Sequence, residues 1–313
     1  MLTRIYFNAV FGALGGLLGW MLFCVFGQNV ASEEALWARL LLDGALIGGG
    51  IGYFVVSVDA IRDRSWVRFV RLASYGLVLG AAGGAIGMFI AERINFALVG
   101  GIGAIRGNVF KFLGTVLTRG LGFLFLGAFV GASEGIAARS LGKFSYGTVG
   151  GLLGGFVGGS LFALVYLVTL QRGADASFAG AAGLVIMGAC IGALSALVQG
   201  VFQPASLKVM RGWQEGREYA LDKNDILLGR DEHADIALFR DMKVEKRHAF
   251  IRRKGDRYVL VNNAAPPDWT RVNEAPVEGD VELNDGDRVQ LGNILLRFQR
   301  RAAQNRTRPG AKV

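Results

Sequence analysis

Long apolar runs, each closed by a small polar or basic cluster, fill the chain as far as Phe202; beyond it apolar and polar residues alternate in short stretches. The runs cover residues 5–27, 40–58, 74–90, 121–138, 147–170 and 179–202. A helix needs about 20 mostly apolar residues to cross a bilayer, so the pattern predicts six membrane spans. The later segment predicts short strands at 226–228, 236–239, 249–252, 258–261, 281–283, 289–291 and 294–298. Turn signals separate them, at Lys254, Gly255 and Asp256 and at Asn284, Asp285, Gly286 and Asp287, and such spacing indicates a β-sandwich. The fold class expected is therefore multidomain: an all-α polytopic membrane helix bundle over 1–202, a juxtamembrane linker over 203–217, an all-β sandwich over 218–302 and a basic disordered tail over 303–313.

Glycine refines the membrane half. Of 47 glycines, only eight lie beyond residue 202. The spacing GxxGGxxG occurs at Gly12, Gly15, Gly16 and Gly19, at Gly80, Gly83, Gly84 and Gly87, and at Gly147, Gly150, Gly151 and Gly154. A second signature, Gly-Ala-x-aliphatic-Gly, occurs at Gly44 to Gly48, Gly127 to Gly131 and Gly188 to Gly192. The two alternate along the chain, which predicts a helix hairpin present three times. Glycines four apart share a helix face and let backbones approach, so the runs Gly44, Gly48, Gly52 and Gly147, Gly151, Gly155, Gly159 are expected packing seams, and a route to homo-oligomers. The start of the chain has the look of a secretion signal ending near Asn29, Val30 and Ala31. Its glycine pattern matches the later spans, so it is expected to stay in the bundle.

A formal charge of +9 raises the question of nucleic acid, but the basic residues cluster at span ends, where topology explains them. Arg62, Arg64, Arg68 and Arg71, then Arg139 and Lys143, then Lys208 and Arg211 fall on one side of a six-span chain and place both termini in the cytoplasm, in a membrane of bacterial type. The stretch 91–120 opposes this with Arg93, Arg106, Lys111 and Arg119, and is expected as an outside loop that lies in the interface or re-enters. Asp43 and Glu134 fall within spans but near enough to their ends to reach an interface. Cys24 and Cys190 sit in apolar runs, and His233 and His248 are the only histidines, so neither a disulfide framework nor a metal site is indicated, and no cofactor is expected. No nucleophile, paired carboxylate or phosphate loop is visible, which argues against an enzyme.

Five blocks carry a family resemblance: Leu228-Gly229-Arg230; Val244-Glu245-Lys246-Arg247-His248-Ala249; Tyr258-Val259-Leu260; Thr270-Arg271-Val272-Asn273; and Leu283 through Gly292. In this order they resemble the forkhead-associated (FHA) family. The resemblance implies an eleven-stranded sandwich whose apical loops bind a partner, most often a phosphothreonine peptide. Arg230 matches the family arginine, and a guanidinium suits phosphate. Gly229, His248, Asn273 and Gly292 match structural positions, with His248 implied to brace a loop. The family serine is replaced by Glu245, and the asparagine-glycine pair by Asp268 and Trp269. A carboxylate about 4 Å from a phosphate costs roughly 1 to 4 kcal/mol.

These departures favour docking without phosphate, through Arg230, Glu245, Lys246, Arg247, Asp268, Trp269 and Thr270, with Trp269 expected on an exposed loop. The function expected is a membrane-anchored adaptor presenting a cytoplasmic docking domain to a protein or peptide, with lipid around the bundle and no nucleic acid. Two alternatives stay open: a transport or channel component with a regulatory FHA domain, and a phosphothreonine reader in kinase signalling. Against transport stands the expectation that the spans lack a polar cluster.

Overall fold

A computed structural model of the chain describes residues 2–26, 33–99, 109–173, 175–263 and 265–300. The expected processing site at 29–31 and the tail 303–313 lie outside these residues. The chain divides into two units, Met1–Phe202 and Gln203–Val313.

Among its described residues the first unit contains six helices, each long and apolar enough to cross a membrane: α1 (Leu2–Phe26), α2 (Glu33–Asp63), α3 (Trp66–Val99), α4 (Val109–Ala138), α5 (Leu141–Gln171) and α6 (Ala176–Phe202). The protein is an integral membrane protein on this criterion. Each helix packs against its neighbours in sequence, and α1 also packs against α6. The core comes mainly from Ile47 and Ile51 of α2, Phe123 and Leu126 of α4, and Met187 and Ile191 of α6. Those three helices form the inside, while α1, α3 and α5 expose Leu14, Leu77 and Leu153, a face that suits lipid.

Close approach explains the glycines. A methyl group on Gly44, Gly48 or Gly52 of α2 would fall on the carbonyl oxygen of Gly84, Gly80 or Gly76 of α3. Gly127 and Gly131 of α4 meet Gly151 and Gly147 of α5 in the same way, and Gly188 and Gly192 of α6 meet Gly12 and Asn8 of α1. In lipid, where no hydrophobic effect drives helices together, this contact supplies dispersion that larger residues would forfeit. The turns joining α2 to α3 and α4 to α5 have one chemistry. Arg64 and Arg139 both take a φ of 53°, and the hydroxyls of Ser65 and Ser140 accept from the amides of Arg68 and Lys143 at 3.4 and 3.2 Å. Each serine thereby satisfies a donor at the start of the next helix.

Two expectations change. Most of the stretch 91–120 is helix, because α3 runs on to Val99 and α4 begins at Val109; residues 100–108 are not among those described. Its described apolar residues continue the helical period, and Arg93 and Arg119 find partners. Arg119 lies 2.6 Å from Glu92, and Arg93 lies 4.7 Å from the centre of the Trp37 ring. Asn95, Thr115 and Thr118 are buried on the same α3–α4 contact, so the bundle does hold polar groups. Asp43 is buried as well, with Arg39 at 3.4 Å, because α2 starts seven residues before the expected span.

The described residues of the second unit form a sandwich of eleven strands: β1 (Ala205–Arg211), β2 (Glu218–Ala220), β3 (Asp225–Gly229), β4 (Ile236–Ala237), β5 (Ala249–Lys254), β6 (Arg257–Asn262), β7 (Thr270–Val272), β8 (Ala275–Pro276), β9 (Asp280–Leu283), β10 (Arg288–Leu291) and β11 (Ile294–Arg300). One sheet has the order β2-β1-β11-β10-β7-β8, the other β4-β3-β5-β6-β9. Leu207, Leu228, Ile251, Leu260, Val289 and Phe298 fill the space between them. The sandwich therefore starts at Ala205 rather than Glu218. Leu207 and Val209 alternate inward on β1, which pairs with β11, so much of the expected linker is a core strand.

Candidate functional site

Three loops meet at one end of the sandwich, after β3, before β5 and before β7, and backbone bonds fasten them together. The amides of Arg230 and Asp231 donate to the carbonyls of Glu245 and Lys246 at 3.0 and 3.4 Å. Gly229 has the space for this, since a methyl group there would strike the Lys246 carbonyl. The third loop is tied on by Asn263, whose amide donates to the His248 carbonyl and whose side chain donates to the Arg247 carbonyl, at 2.9 and 2.8 Å.

His248 sits beneath these loops, completely buried. Its Nδ1 accepts from the Glu245 amide at 3.0 Å, so Nε2 carries the proton of the neutral ring and donates to Thr270 Oγ1 at 3.0 Å. The Thr270 hydroxyl donates onward to Asn262 Oδ1 at 3.0 Å. Burial, the largest influence, pushes the imidazole below its ordinary pKa, which favours the neutral ring, and the Glu245 amide fixes its tautomer. Thr270 was expected among the contacting residues; it is completely buried and positions the loop from within. Asn273 and Gly292 hold turns, both at positive φ: the Asn273 side chain accepts from the Arg288 amide at 2.9 Å, and the Gly292 amide donates to the Trp269 carbonyl at 2.8 Å.

The outer surface of the apex carries both signs of charge, with Arg230, Lys246, Arg247 and Arg271 beside Asp231, Glu232, Glu245 and Asp268. Arg230, Lys246 and Arg247 form no ion pair among the described residues, and Lys246 and Arg247 are exposed. Arg230 is half-buried: its Nη1 faces the sulfur of Met242 at 3.2 Å, and its buried Nε has no hydrogen-bond partner. Met242 itself is 76% exposed. Asp268 turns toward Arg271, with 3.8 Å between the charged groups, and its carbonyl accepts from Arg271 Nε at 3.2 Å. Asp231 is held below the usual carboxylate range by hydrogen bonds from His233. Trp269, expected in the open, is half-buried in a short 3₁₀ turn, Pro267–Trp269. The pairing of Asp268 with Arg271 was open to view as an i,i+3 spacing; Met242 as the cover of Arg230 had no sequence signal. Among the described residues no group of three or more histidine, cysteine or acidic side chains could hold a metal ion.

A family model described as "Inner membrane component of T3SS, cytoplasmic domain" matches residues 208–302. An "Oxoglutarate dehydrogenase inhibitor" of Corynebacterium jeikeium (strain K411) is 38% identical over 94 residues, which are 30% of this chain and 63% of that protein. The chain thus spans less than two thirds of that curated relative. A solved structure described as "Structural and functional analysis of phosphothreonine-dependent FHA domain interactions" is 30% identical, covering 32% of this chain and 99% of that one at a TM-score of 0.29. The FHA domain of the CT664 protein from Chlamydia trachomatis is 27% identical, covering 32% and 99% at a TM-score of 0.29. A β-sandwich that matches this family model and is similar to these FHA domains over about a third of the chain thus accompanies a bundle of long apolar helices.

Proposed function

We propose that this protein holds an FHA-like domain at the cytoplasmic face of a bacterial membrane, where the apex docks an anionic segment of a protein partner, with phosphothreonine as the group it reads. The unpartnered Nε of Arg230 carries this reading. A buried donor without an acceptor costs about 1 to 3 kcal/mol, and a phosphate oxygen at the apex relieves that cost and meets the adjacent positive charge of Lys246. Asp268, which the sequence set against a phosphate, is already engaged by Arg271. Glu245 remains an opposing charge and weakens the site without closing it. Confinement to a surface raises the effective concentration of a partner, so a weak site suffices.

The bundle is read as three copies of one hairpin, and the shared turn at Ser65 and Ser140 supports this. The basic residues following α2 and α4, and the matched family of cytoplasmic domains, support a cytoplasmic sandwich and termini. The decisive experiment is titration of residues 203–313 with a degenerate phosphothreonine peptide library and its unphosphorylated twin. The phosphorylated library should bind at least about tenfold tighter, about 1.4 kcal/mol. Arg230→Ala should abolish the difference and Glu245→Ser should enlarge it. Equal binding of both libraries would sink the phosphate reading in favour of phosphate-independent docking.

A further inference from the structure

Among the described residues of the sandwich, the large apolar side chains left in the open are Met210, Trp213 and Met242, exposed by 41%, 49% and 76%. All three belong to one corner of the apex. Gln214 Nε2 donates to the Ala237 carbonyl at 2.9 Å, which fastens the turn after β1 to β4. Asp241, in the loop after β4, accepts from the amide and the side chain of Asn293 at 2.6 and 3.1 Å, and from the Lys243 amide at 3.0 Å. Arg211 Nε donates to the Asn293 carbonyl at 3.3 Å. The turn after β1, the loop after β4 and the turn before β11 are thus held together, and the three side chains stand on a fixed frame.

Arginines join this strip to the apical site. Arg240 takes a φ of 65°, uncommon for any residue but glycine, and its guanidinium carbon lies 3.5 Å from the centre of the Trp213 ring. Two residues on, the Met242 sulfur lies 3.2 Å from Arg230 Nη1. Contacts therefore run from Trp213 through Arg240 and the short turn 240–242 to Met242 and Arg230. The exposed charges in these loops are Arg211, Arg240 and Lys243 against Glu215. Single exposed apolar residues are ordinary, but methionine, tryptophan and arginine gathered at one corner have the composition of an interface core. Methionine is also flexible enough to fit side chains of different shape.

We infer that Met242, Trp213 and Met210 form an apolar subsite beside Arg230, and that the partner segment is bipartite: an anionic residue for Arg230 and one large aliphatic or aromatic residue for the strip. The inference rests on the anion docking proposed above for its anchor. Met242 lies against that anchor, so the two parts are near neighbours in the sequence of the partner.

Full-length protein in nanodiscs, offered the degenerate phosphothreonine library and its unphosphorylated twin, tests this by the sequences it retains. The wild type should enrich leucine, methionine, phenylalanine or tryptophan about fivefold at one fixed position flanking the phosphothreonine, because covering part of one such side chain supplies that factor. Trp213→Gln with Met242→Gln should lose the enrichment, and since lipid is common to both samples, the difference belongs to the strip. Met242→Gln alone, at an exposed side chain, serves if the double variant does not fold. Retention of phosphorylated sequences without an apolar position, or with one that the variant retains equally, overturns the inference and leaves the phosphate reading standing. An apolar position enriched equally in both libraries, beside an acidic one, upholds the strip and sinks the phosphate reading alone. Larger assemblies of the wild type than of the variant, with no apolar preference, would give the strip to a second copy of this chain and overturn the inference as well.

Discussion

Replacing Thr270 with valine isolates the relay beneath the apex, because valine keeps the shape and removes only the hydroxyl. Two hydrogen bonds of 3.0 Å disappear, from His248 Nε2 and to Asn262 Oδ1. His248 is wholly buried, so its stranded N–H cannot turn to water. An unmet buried donor costs about 1 to 3 kcal/mol, and the half-buried Asn262 adds about 1 kcal/mol. A loss of about 3 kcal/mol at a urea slope of about 1.5 kcal/mol/M lowers the midpoint by about 2 M. Equilibrium unfolding of residues 203–313, followed by tryptophan fluorescence, measures it. Thr270→Ser keeps the hydroxyl and gives up a methyl group, which costs about 1 kcal/mol. Equal midpoints for the valine and serine variants would refute the relay. The same assay carries a pH test. The folded pKa of His248 lies below its ordinary 6.5, so the unfolded chain binds the proton first. The stability of the native domain is then complete above the unfolded pKa and falls as pH drops from there through the folded value. A domain that gains stability between about pH 6.5 and pH 5 would contradict a buried neutral imidazole.

Two further outcomes concern the membrane half. Gly151→Leu should lower the detergent melting temperature well below that of Leu153→Ala, because a side chain at Gly151 strikes the Gly127 carbonyl while Leu153 is 49% exposed; equal melting would remove the α4–α5 seam. A cysteine placed at Asp256, in a chain whose Cys24 and Cys190 are replaced, should react with an impermeant maleimide only after the cells are permeabilised, and labelling of intact cells would reverse the orientation.

The local pattern of residues was enough to announce six apolar helices and a sandwich, because helix and strand periods are written within a few turns of chain. The burial of His248 against Glu245 and Thr270, in contrast, is a matter of tertiary packing. Pairing is another matter. Counted from the similar turns at Ser65 and Ser140, the positions on α5 that correspond in distance to Gly80, Gly83 and Gly84 on α3 are Gly155, Gly158 and Gly159. The sequence motif chose Gly147, Gly150, Gly151 and Gly154, two turns away, because α5 has glycine at every step and one register reads as well as another. Which glycines meet is a matter of contact between backbones, and that depends on the partner helix. The same reason hid the strand at 205–211, whose ladder partner is the last strand of the chain, and the helical nature of most of 91–120, whose charges look like a loop until Glu92 and Arg119 meet. Arg4 shows the limit best. Nothing near it in sequence marks it, and its partners Asp59, Glu134 and Gln199 lie 55, 130 and 195 positions away. Only the closing of α1 against the inner helices brings them to one guanidinium.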